Sequence, residues 1–371
     1  MKIVFNTDQI YLHGGIEKVL TEKANCFVRY YHHEVIVLTT GQKNQPPCYP
    51  LDSKIRMIDM GVDYNRSISY FSIENLKKSI QHFRRQRKLL KELKPDIIIS
   101  PNFNFDYYWL PFIKGKSRLI KERHGSHYLD SEKRKSAGFI GKLKWKFNDW
   151  IDSKYDHIVV LNPDEKKYVK SANAVVISNP VSIPEFSSGL NSKKVLAAGR
   201  LAPVKAFDEL IQIWKLMGDQ FPNWQLHIYG DDYLNTRSKL QQLIESLGLQ
   251  HTVFLKDSVP DLTETMKDYS IYALTSVTEC FSMVLLESLA VGVPVVSYDC
   301  PTGPRNIITD TKDGFLIEER NQKEFAAALG RLMTDLELRK QMGKNGKQNV
   351  RRFSAERVMA QWQQFLNLRH V

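Results

Sequence analysis

The sequence predicts an α/β protein made of two doubly wound domains, and three observations support this prediction. Short apolar runs, typical of buried parallel strands, alternate with longer amphipathic stretches along the chain. The alternation starts again after residues 180–192, a segment whose proline, serine and glycine content is typical of a linker. The length of 371 residues also exceeds what one ordinary domain requires.

In the first half, a strand is predicted at the start, where Ile3-Val4-Phe5 appears without the features of a signal peptide. Four later apolar runs predict strands at 34–39, 96–100, 156–161 and 174–178. Basic amphipathic stretches at 76–93 and 133–150 predict helices. In the first stretch, the residues expected to share one apolar face are Leu76, Ile80, Phe83, Leu90 and Leu93.

In the second half, strands are predicted at 194–199, 224–230, 252–255 and 270–275, with helices at 206–217 and 234–247. A last helix is predicted at 355–368, with Ser354 as its N-cap. The expected organisation is a domain at 1–182, a second domain at 183–353 and a final helix at 354–371 that crosses back to the first domain. A ligand is expected in the cleft that two such domains form.

Composition and charge narrow the possible functions. The apolar fraction is 42%, and no run of eighteen apolar residues predicts a transmembrane helix. The four cysteines form no CxxC pair and no metal-ligand cluster, which favours a reducing cytoplasm. Residues 1–185 hold 31 basic and 20 acidic residues, whereas the remainder holds 22 and 21. This asymmetry predicts an anionic partner for the first half: a membrane surface, an anionic glycolipid or nucleic acid.

The stretch 133–150 combines aromatic and basic residues. One face is expected to carry Phe139, Leu143, Phe147 and Trp150. The residues expected to contact anionic lipid or the acceptor beside this face are Lys133, Arg134, Lys135, Lys142, Lys144, Trp145 and Lys146. Such a helix can lie on an anionic membrane. The alternative is an outer helix of the sheet, with its apolar side inward and its lysines in water.

The segment 278–290 runs from a turn into an apolar helix and carries two glutamates. Glu279 is expected in the turn before the helix. Phe281, Ser282 and Met283 are expected to form the first turn of the helix and to supply free amides that suit phosphate or sugar oxygens. Glu287 lies on the apolar helix, where a carboxylate needs a partner such as the two hydroxyls of a ribose. The alternative makes Glu287 a surface residue and Glu279 a carboxylate that the helix dipole favours.

These residues resemble a known family. The spacing of Glu279 and Glu287 is similar to the EX7E motif of GT4-type retaining glycosyltransferases, whose GT-B fold has two Rossmann-like domains facing across a cleft. The resemblance covers essentially the whole chain and is closest to bacterial surface-polysaccharide and lipopolysaccharide members. It extends to these segments: Gly199-Arg200-Leu201 with Lys205, 292–296, 299–304, 313–317, Gly14-Gly15-Ile16-Glu17, and Glu122-Arg123-His124 as a loop after a strand.

The resemblance implies a role for each matching residue. Gly199, Arg200 and Lys205 would hold the donor diphosphate, and both cations would neutralise the leaving group. Glu287 would hold the ribose, while Glu279 with the amides of Phe281, Ser282 and Met283 would orient the transferred sugar. Gly15 would let the backbone approach a phosphate. His124 would lie near the anomeric carbon.

The sequence departs from the family pattern in two places. Cys280 and Ser282 stand where glycine is frequent, which implies a reshaped donor-sugar pocket. Gly230-Asp231-Asp232 stands where G-x-G is frequent. The two aspartates alternatively resemble the metal-binding motif of GT-A enzymes, although two neighbouring carboxylates do not complete an octahedral site.

The resemblance implies transfer of a hexose or N-acetylhexosamine from a nucleotide-sugar, with UDP favoured, to a saccharide or glycolipid acceptor. The expected acceptors are a lipid-linked oligosaccharide, lipopolysaccharide or a capsular polysaccharide precursor. We expect retention of configuration, no metal or other cofactor, and no nucleic-acid partner, because nucleic-acid binding leaves the two glutamates without a role. We expect a cytoplasmic protein, peripheral on the inner face of the cytoplasmic membrane. The alternatives are a sugar-nucleotide epimerase of similar fold and a non-catalytic two-domain sugar-binding module.

Overall fold

The computed structural model describes residues 1–69, 71–102 and 104–368 and divides the chain into two compact units. The first unit comprises Met1–Pro180 and Met359–Val371, and the second comprises Val181–Val358. The last three residues of the predicted final helix segment, 369–371, lie outside the described residues. Each unit is an α/β domain with its own parallel sheet.

The first unit is built on a seven-stranded parallel sheet in the order β3-β2-β1-β4-β5-β6-β7. Its strands are β1 (Lys2–Thr7), β2 (Glu34–Thr39), β3 (Arg56–Asp59), β4 (Ile97–Ser100), β5 (Arg118–Arg123), β6 (His157–Val160) and β7 (Ala174–Val176). Its helices are α1 (Gly15–Arg29), α2 (Ile73–Leu93), α3 (Leu110–Ile113), α4 (Tyr128–Lys135), α5 (Phe139–Asp152) and α6 (Pro163–Lys166). The strand order reverses between β1 and β4, where doubly wound sheets bind ligands at their carboxyl edge.

The second unit repeats this arrangement with six parallel strands in the order β10-β9-β8-β11-β12-β13. Its strands are β8 (Lys194–Ala198), β9 (Gln225–Tyr229), β10 (Val253–Lys256), β11 (Ile271–Leu274), β12 (Val295–Tyr298) and β13 (Gly314–Ile317). Its helices are α7 (Phe207–Met217), α8 (Thr236–Ser246), α9 (Leu262–Met266), α10 (Met283–Ala290), α11 (Gln322–Thr334) and α12 (Leu336–Asn349). The last helix, α13 (Ala355–Asn367), begins in this unit and belongs to the first unit from Met359 onward. The predicted fold class, two Rossmann-like doubly wound domains, is confirmed.

Strand β5 departs from the sequence prediction. Its sequence, RLIKER, is too charged to read as a buried strand, yet all six residues are buried. The structure gives two of these charges internal partners, because Glu122 pairs with Lys23 and Arg123 pairs with Asp152. Glu122 and Arg123 therefore lie in the strand rather than in the loop, and only His124 follows it.

Helix α2 buries only part of the predicted apolar face. Leu90 is 5% exposed and Leu93 packs against the core of the first unit. Leu76 and Ile80 are 42% and 54% exposed, whereas Asn75, His82 and Gln86 are completely buried. Gln86 donates to Asn6 Oδ1 at 2.9 Å and to an Asp106 oxygen at 3.0 Å. The polar face can be buried because the residues beneath the helix supply hydrogen-bond partners for it.

The predicted basic stretch 133–150 forms two helices, α4 and α5, separated by residues 136–138. Within α5 only Ile151 and Asp152 are buried. The apolar face that the sequence predicts is therefore turned outward. None of the helices in the described part of the chain combines the length and apolar character needed to span a membrane.

Candidate active site

Two glycines bring the loops after β8 and β9 together in the second unit. Gly199 directly follows β8, and Gly230 directly follows β9. A Cβ atom on Gly230 would lie 1.9 Å from the Gly199 carbonyl oxygen, so any side chain there would push the loops apart. Arg200, the next residue after Gly199, is exposed, and its guanidinium lies 5.4 Å from the centre of the Tyr233 ring.

The Asp231-Asp232 pair takes part in this loop structure. The Asp231 carbonyl accepts a hydrogen bond from Leu201 N at 2.8 Å, and its carboxylate accepts one from Ser258. The Asp232 carboxylate accepts from the Arg237 backbone amide at 2.8 Å. Each carboxylate thus has a protein donor. Among the described residues, no group of three or more histidine, cysteine, aspartate or glutamate side chains could hold a metal ion.

The structure joins Lys205 and Glu279 in an ion pair. Lys205 Nζ lies 2.6 Å from Glu279 Oε1, and the two side chains are 21% and 11% exposed. Ser276 Oγ donates to the same carboxylate oxygen at 2.7 Å. Lys205 ends a short 3-10 turn after β8, and Glu279 lies in the loop after β11, so neighbouring strands place both at one edge of the sheet.

A second loop fixes the backbone of Glu279. The Glu279 amide donates to the Pro301 carbonyl at 2.9 Å, and its carbonyl accepts from Thr302 N and Gly303 N at 2.6 and 2.7 Å. A Cβ atom on Gly303 would lie 3.0 Å from the Cys280 carbonyl oxygen, tighter than ordinary contact. The loop after β12 therefore fixes the backbone position of Glu279, and the ion pair with Lys205 fixes the orientation of its side chain.

Helix α10 begins at Met283, which corrects the predicted placement of Phe281 and Ser282 in its first turn. Ser282 is the N-cap residue, and Phe281 precedes it with its ring 5.2 Å from the Phe353 ring centre. The Ser282 hydroxyl is buried and has no hydrogen-bond partner. The backbone amides of 282–285 lack intrahelical acceptors, so this helix start can bind oxygens of a ligand.

Glu287 lies one turn inside α10 and is only 4% exposed, so the alternative of a surface carboxylate is wrong. Both motif glutamates lie close enough to Tyr272 of β11 to affect its ionisation. Burial raises the pKa of the Tyr272 hydroxyl well above its usual value, a hydrogen bond with Ala198 opposes this, and the charges of Glu279 and Glu287 add to the rise. The two motif glutamates and Lys205 thus share one region of the second unit.

In the first unit, Gly15 is the first residue of α1 and Gly14 is its N-cap, with no side chain capping the helix. A Cβ atom on Gly14 would lie 2.2 Å from a Glu17 carboxylate oxygen, so Glu17 occupies the space that a side chain would need. Gln9 donates to the other Glu17 oxygen at 2.7 Å. A side chain at position 14 would therefore have to displace the Glu17 carboxylate, and the amides of this helix start are not capped by a side chain.

His124 lies directly after β5, with its Nε2 2.7 Å from Glu122 Oε2. The other Glu122 oxygen pairs with Lys23 of α1. Burial raises the pKa of Glu122, but the Lys23 charge and the His124 hydrogen bond outweigh it and lower the pKa to about 2. Sequence reasoning missed Lys23 and gave Glu122 no role, because 99 residues separate them in the chain.

A cavity of about 380 Å³ opens in the first unit, next to the carboxyl ends of β1, β2 and β3. Buried residues of α2 hold its wall. Asn75 Nδ2 donates to the Asn65 and Ser69 carbonyls at 2.9 and 3.0 Å, and a His82 nitrogen lies 3.0 Å from the Tyr64 hydroxyl. The charged side chains lining the cavity are Asp8, Lys43, Asp63, Arg66, Glu74 and Lys78. Sequence reasoning did not find this cavity, because it depends on three separate loops.

The residues predicted to form the basic surface divide into two groups. Arg134 makes two hydrogen bonds to Asp149, at 2.8 and 2.6 Å, and covers the Trp145 ring at 4.6 Å. Lys135 pairs with Glu132 at 2.6 Å. Exposed lysines remain at 133, 142, 144 and 146. Exposed apolar side chains on α5 are Phe139 at 79%, Ile140 at 83%, Leu143 at 56%, Phe147 at 49% and Trp150 at 47%.

Two family models match consecutive parts of the chain. The family model described as "Glycosyltransferase Family 4" matches residues 13–183, and "Glycosyl transferases group 1" matches residues 181–349. An uncharacterised glycosyltransferase of Haemophilus influenzae is 26% identical and covers 98% of this chain and 99% of its own. The amylovoran biosynthesis glycosyltransferase AmsD of Erwinia amylovora is 27% identical, with 99% of each chain covered.

A third relative, from Campylobacter jejuni, is 25% identical with 94% of each chain covered. Its name describes an N-acetyl-D-galactosaminyltransferase that acts on a diphospho-undecaprenol-linked saccharide. Among solved structures, a mutant of Staphylococcus aureus TarM in complex with fondaparinux, alpha-GlcNAc-glycerol and UDP aligns over 99% of this chain and 100% of its own. Its TM-score is 0.78 at 17% identity, a likeness that shows the fold. The chain therefore belongs to the GT4-type glycosyltransferases, with the GT-B fold.

Proposed function

We propose that the protein transfers a hexose or N-acetylhexosamine from a UDP-sugar to a saccharide acceptor, with retention of anomeric configuration and without a metal ion. The observation that carries this proposal is the cluster of Lys205, Glu279 and Glu287 in the second unit. It combines a cation, a partly exposed carboxylate and a buried carboxylate near one helix start. An epimerase would need acid and base groups around the donor sugar, and a binding module would not need Lys205, so both alternatives fit this cluster less well.

The donor is proposed to bind with its diphosphate at Arg200 and Lys205 and at the free amides of α10. Arg200 is exposed and can reach an anion, while Lys205 can exchange Glu279 for a phosphate oxygen. Glu287, which is 4% exposed, accepts hydrogen bonds from the two ribose hydroxyls, one to each carboxylate oxygen. UDP is the proposed nucleotide because the relative of similar fold, TarM, was solved with UDP.

The chemical step is proposed to be a front-face substitution. The bond between the anomeric carbon and the UDP oxygen breaks while the acceptor hydroxyl bonds to the same face of that carbon. The hydroxyl proton passes to the departing phosphate, so the products are UDP and a glycoside of unchanged configuration. Lys205 and Arg200 stabilise the negative charge that develops on the diphosphate, which is the part a metal ion plays in other transferases. Glu279 orients the sugar hydroxyls once Lys205 turns to the diphosphate.

The acceptor is proposed to bind in the cavity of the first unit. Three carboxylates and three cations line it, so its lining charge is balanced and offers both donors and acceptors of hydrogen bonds. Such a surface suits the hydroxyl groups of a saccharide. The acceptor is proposed to be a lipid-linked oligosaccharide, lipopolysaccharide or capsular precursor, because two relatives are named for amylovoran biosynthesis and for an undecaprenol-linked acceptor.

Helix α5 is proposed to hold the first unit on the inner face of the cytoplasmic membrane. On a helical projection, Lys142 and Lys146 flank one side of its exposed apolar strip, and Lys144 flanks the other. Phe112 of α3 extends the strip, with its ring 5.8 Å from that of Trp150. Apolar side chains can enter the headgroup region while the lysines contact anionic lipid. This placement would bring the protein to a lipid-linked acceptor.

A donor screen tests the proposed function. UDP-, GDP- and ADP-sugars are each incubated with the protein in the presence of EDTA, first without acceptor and then with an undecaprenol-linked or lipopolysaccharide-derived saccharide. The proposal expects slow hydrolysis of a UDP-sugar alone and faster release of UDP with a suitable acceptor. Interconversion of UDP-sugars without acceptor would instead establish an epimerase. Release of nucleotide only after manganese is added would contradict metal independence.

A further inference from the structure

Lys23, Glu122 and His124 form a buried chain of contacts in the first unit, and of the three only His124 has a catalytic role implied by the family resemblance. Glu122 Oε1 pairs with Lys23 Nζ, and Glu122 Oε2 lies 2.7 Å from His124 Nε2. The Lys23 and Glu122 side chains are 2% and 1% exposed, and the His124 side chain is 6% exposed. Both oxygens of one carboxylate are thus committed, one to each neighbour.

Two aromatic rings also contact the Lys23 ammonium group. Lys23 Nζ lies 4.7 Å from the centre of the Trp362 ring and 5.9 Å from that of Phe5. Trp362 belongs to α13, so the last helix of the chain completes the enclosure of Lys23 in this unit. A cation over aromatic faces is stabilised there and keeps its ammonium group directed at Glu122.

A contribution to folding stability alone does not explain why the charged side chains of Lys23 and Glu122 are buried. An apolar pair of similar volume often stabilises a core as well as a buried ion pair does, or better. The pair is therefore better explained by what it does to the third member, His124. The Lys23 charge and the His124 hydrogen bond together lower the pKa of Glu122 to about 2 despite its burial, so the carboxylate stays ionised at neutral pH.

We propose that Lys23 and Glu122 are positioning residues that fix the His124 ring, with the hydrogen on Nε2 and Nδ1 free to accept a hydrogen bond from a sugar hydroxyl. An ionised carboxylate can only accept, so the ring nitrogen facing Glu122 must donate. A neutral imidazole has one N–H group, which leaves Nδ1 as the acceptor. Carboxylates behind other functional histidines select the tautomer in the same way. The identity of the hydroxyl rests on the proposed function.

The Glu122→Gln substitution keeps the shape of this chain but changes the hydrogen-bonding pattern. Lys23 requires the single amide oxygen, so the amide NH₂ group faces His124 and donates to Nε2. The ring then carries its hydrogen on Nδ1 and can no longer accept there. The expected effect is a fall in kcat of about 10- to 100-fold, the range typical when the partner behind a metal-binding histidine is replaced, with a smaller change in KM for the donor.

The tautomer is measured directly on ¹⁵N-histidine-labelled protein by two-bond ¹H–¹⁵N correlation spectra, in which the two tautomers differ. The His124 signals are assigned by their loss in His124→Ala. Wild type is expected to show the hydrogen on Nε2, and Glu122→Gln is expected to show it on Nδ1. A wild-type ring with its hydrogen on Nδ1, or an unchanged ring in Glu122→Gln, overturns the positioning proposal without involving catalysis.

Kinetics then test whether the pair acts through His124. In a His124→Ala background, Glu122→Gln is expected to cause no further loss of kcat, whereas a purely structural effect would persist. Asp130→Asn is the matched control, because Asp130 Oδ2 lies 3.1 Å from His127 Nδ1 in the same unit but is more exposed. It should leave both kcat and the His124 signals unchanged.

A second variant covers the case in which Glu122→Gln does not fold. Lys23→Met combined with Glu122→Gln removes both charges and leaves no buried ion without its counterion. This double variant is expected to fold, to populate both tautomers of His124 and to lose kcat to a similar extent. Wild-type kcat in the folded double variant overturns the proposal. Wild-type kcat in His124→Ala would instead refute the catalytic role of His124 that the family resemblance implies.

Discussion

Replacing Lys205 by methionine should slow turnover and also destabilise the second unit. The substitution keeps most of the side-chain volume but removes the ammonium group that lies 2.6 Å from Glu279 Oε1. A hydrogen bond to a charged group contributes about 1.5–3 kcal/mol, and each 1.4 kcal/mol corresponds to roughly a tenfold change in rate. Because the lysine is 21% exposed, the lower part of this range applies. We therefore expect kcat to fall about 10- to 30-fold.

The stability effect follows from what remains around Glu279. The Glu279 side chain is 11% exposed in the wild-type structure, and without Lys205 it would keep the Ser276 hydroxyl as a donor. Partial loss of its partners should lower the free energy of unfolding by about 1–2 kcal/mol. Denaturant unfolding of the apoprotein measures this, and steady-state kinetics with varied donor separates kcat from KM.

Arg200→Met is the matched control, because Arg200 is exposed and lies over the Tyr233 ring. It should also lower kcat, since it removes a charge near the diphosphate, but it should change the free energy of unfolding by less than about 0.5 kcal/mol. If both variants raise only KM, the two cations act in ground-state binding, and the assignment to the leaving group is refuted. Equal stabilities of wild type and Lys205→Met would refute the ion pair.

Three further predictions concern other parts of the molecule. Glu287→Ala should weaken binding of free UDP by about 1.5–3 kcal/mol in calorimetry, since the ribose diol loses its acceptor; unchanged affinity in a folded variant would reassign the residue. The protein should co-sediment with anionic liposomes, less so as salt rises, and a variant with Lys142, Lys144 and Lys146 changed to Glu should not; equal binding by that variant would leave α5 as a solvated face. Glu122, whose pKa lies below its unfolded value of 4.5, should contribute stability above pH 4.5 that is lost as pH falls towards 2, so the stability of Glu122→Gln should vary less across this window.

The sequence predicted the elements whose apolar pattern is simple. The run at 34–39 is β2 without any shift, and the runs at 96–100 and 270–275 contain β4 and β11. In these strands both faces are buried, so uninterrupted apolar residues identify them. The restart of this pattern after 180–192 was enough to predict two doubly wound domains.

Elements that depend on distant partners were missed or placed wrongly. Strand β5 is charged because Lys23 and Asp152 neutralise Glu122 and Arg123, and neither partner is near in sequence. The buried face of α2 carries His82 because the His82 ring can hydrogen-bond with the Tyr64 hydroxyl beneath the helix. A prediction from hydrophobic periodicity places polar residues on the solvent side of a helix. It therefore assigns the wrong face to the core when a polar face is buried against polar partners.

In the candidate site, too, the sequence predicted which residues matter but not the contacts between residues that are distant in the chain. Motif spacing singled out Glu279, Glu287 and Lys205, and the structure places them in one region of the second unit. Spacing could not show that Lys205 pairs with Glu279, since 74 residues separate them. It also placed the start of α10 too early, because Phe281 is apolar enough to continue the helical pattern while its ring packs on Phe353 instead.

The most direct test of the central claim is the anomeric configuration of the product formed in the presence of EDTA. The protein is incubated with the UDP-sugar that it hydrolyses and with a saccharide acceptor, and the new glycosidic linkage is examined by ¹H NMR before any equilibration. The account predicts an α-linked product from an α-configured UDP-sugar, at a rate that EDTA does not lower. A β-linked product, or transfer that stops in EDTA and returns with manganese, would contradict it.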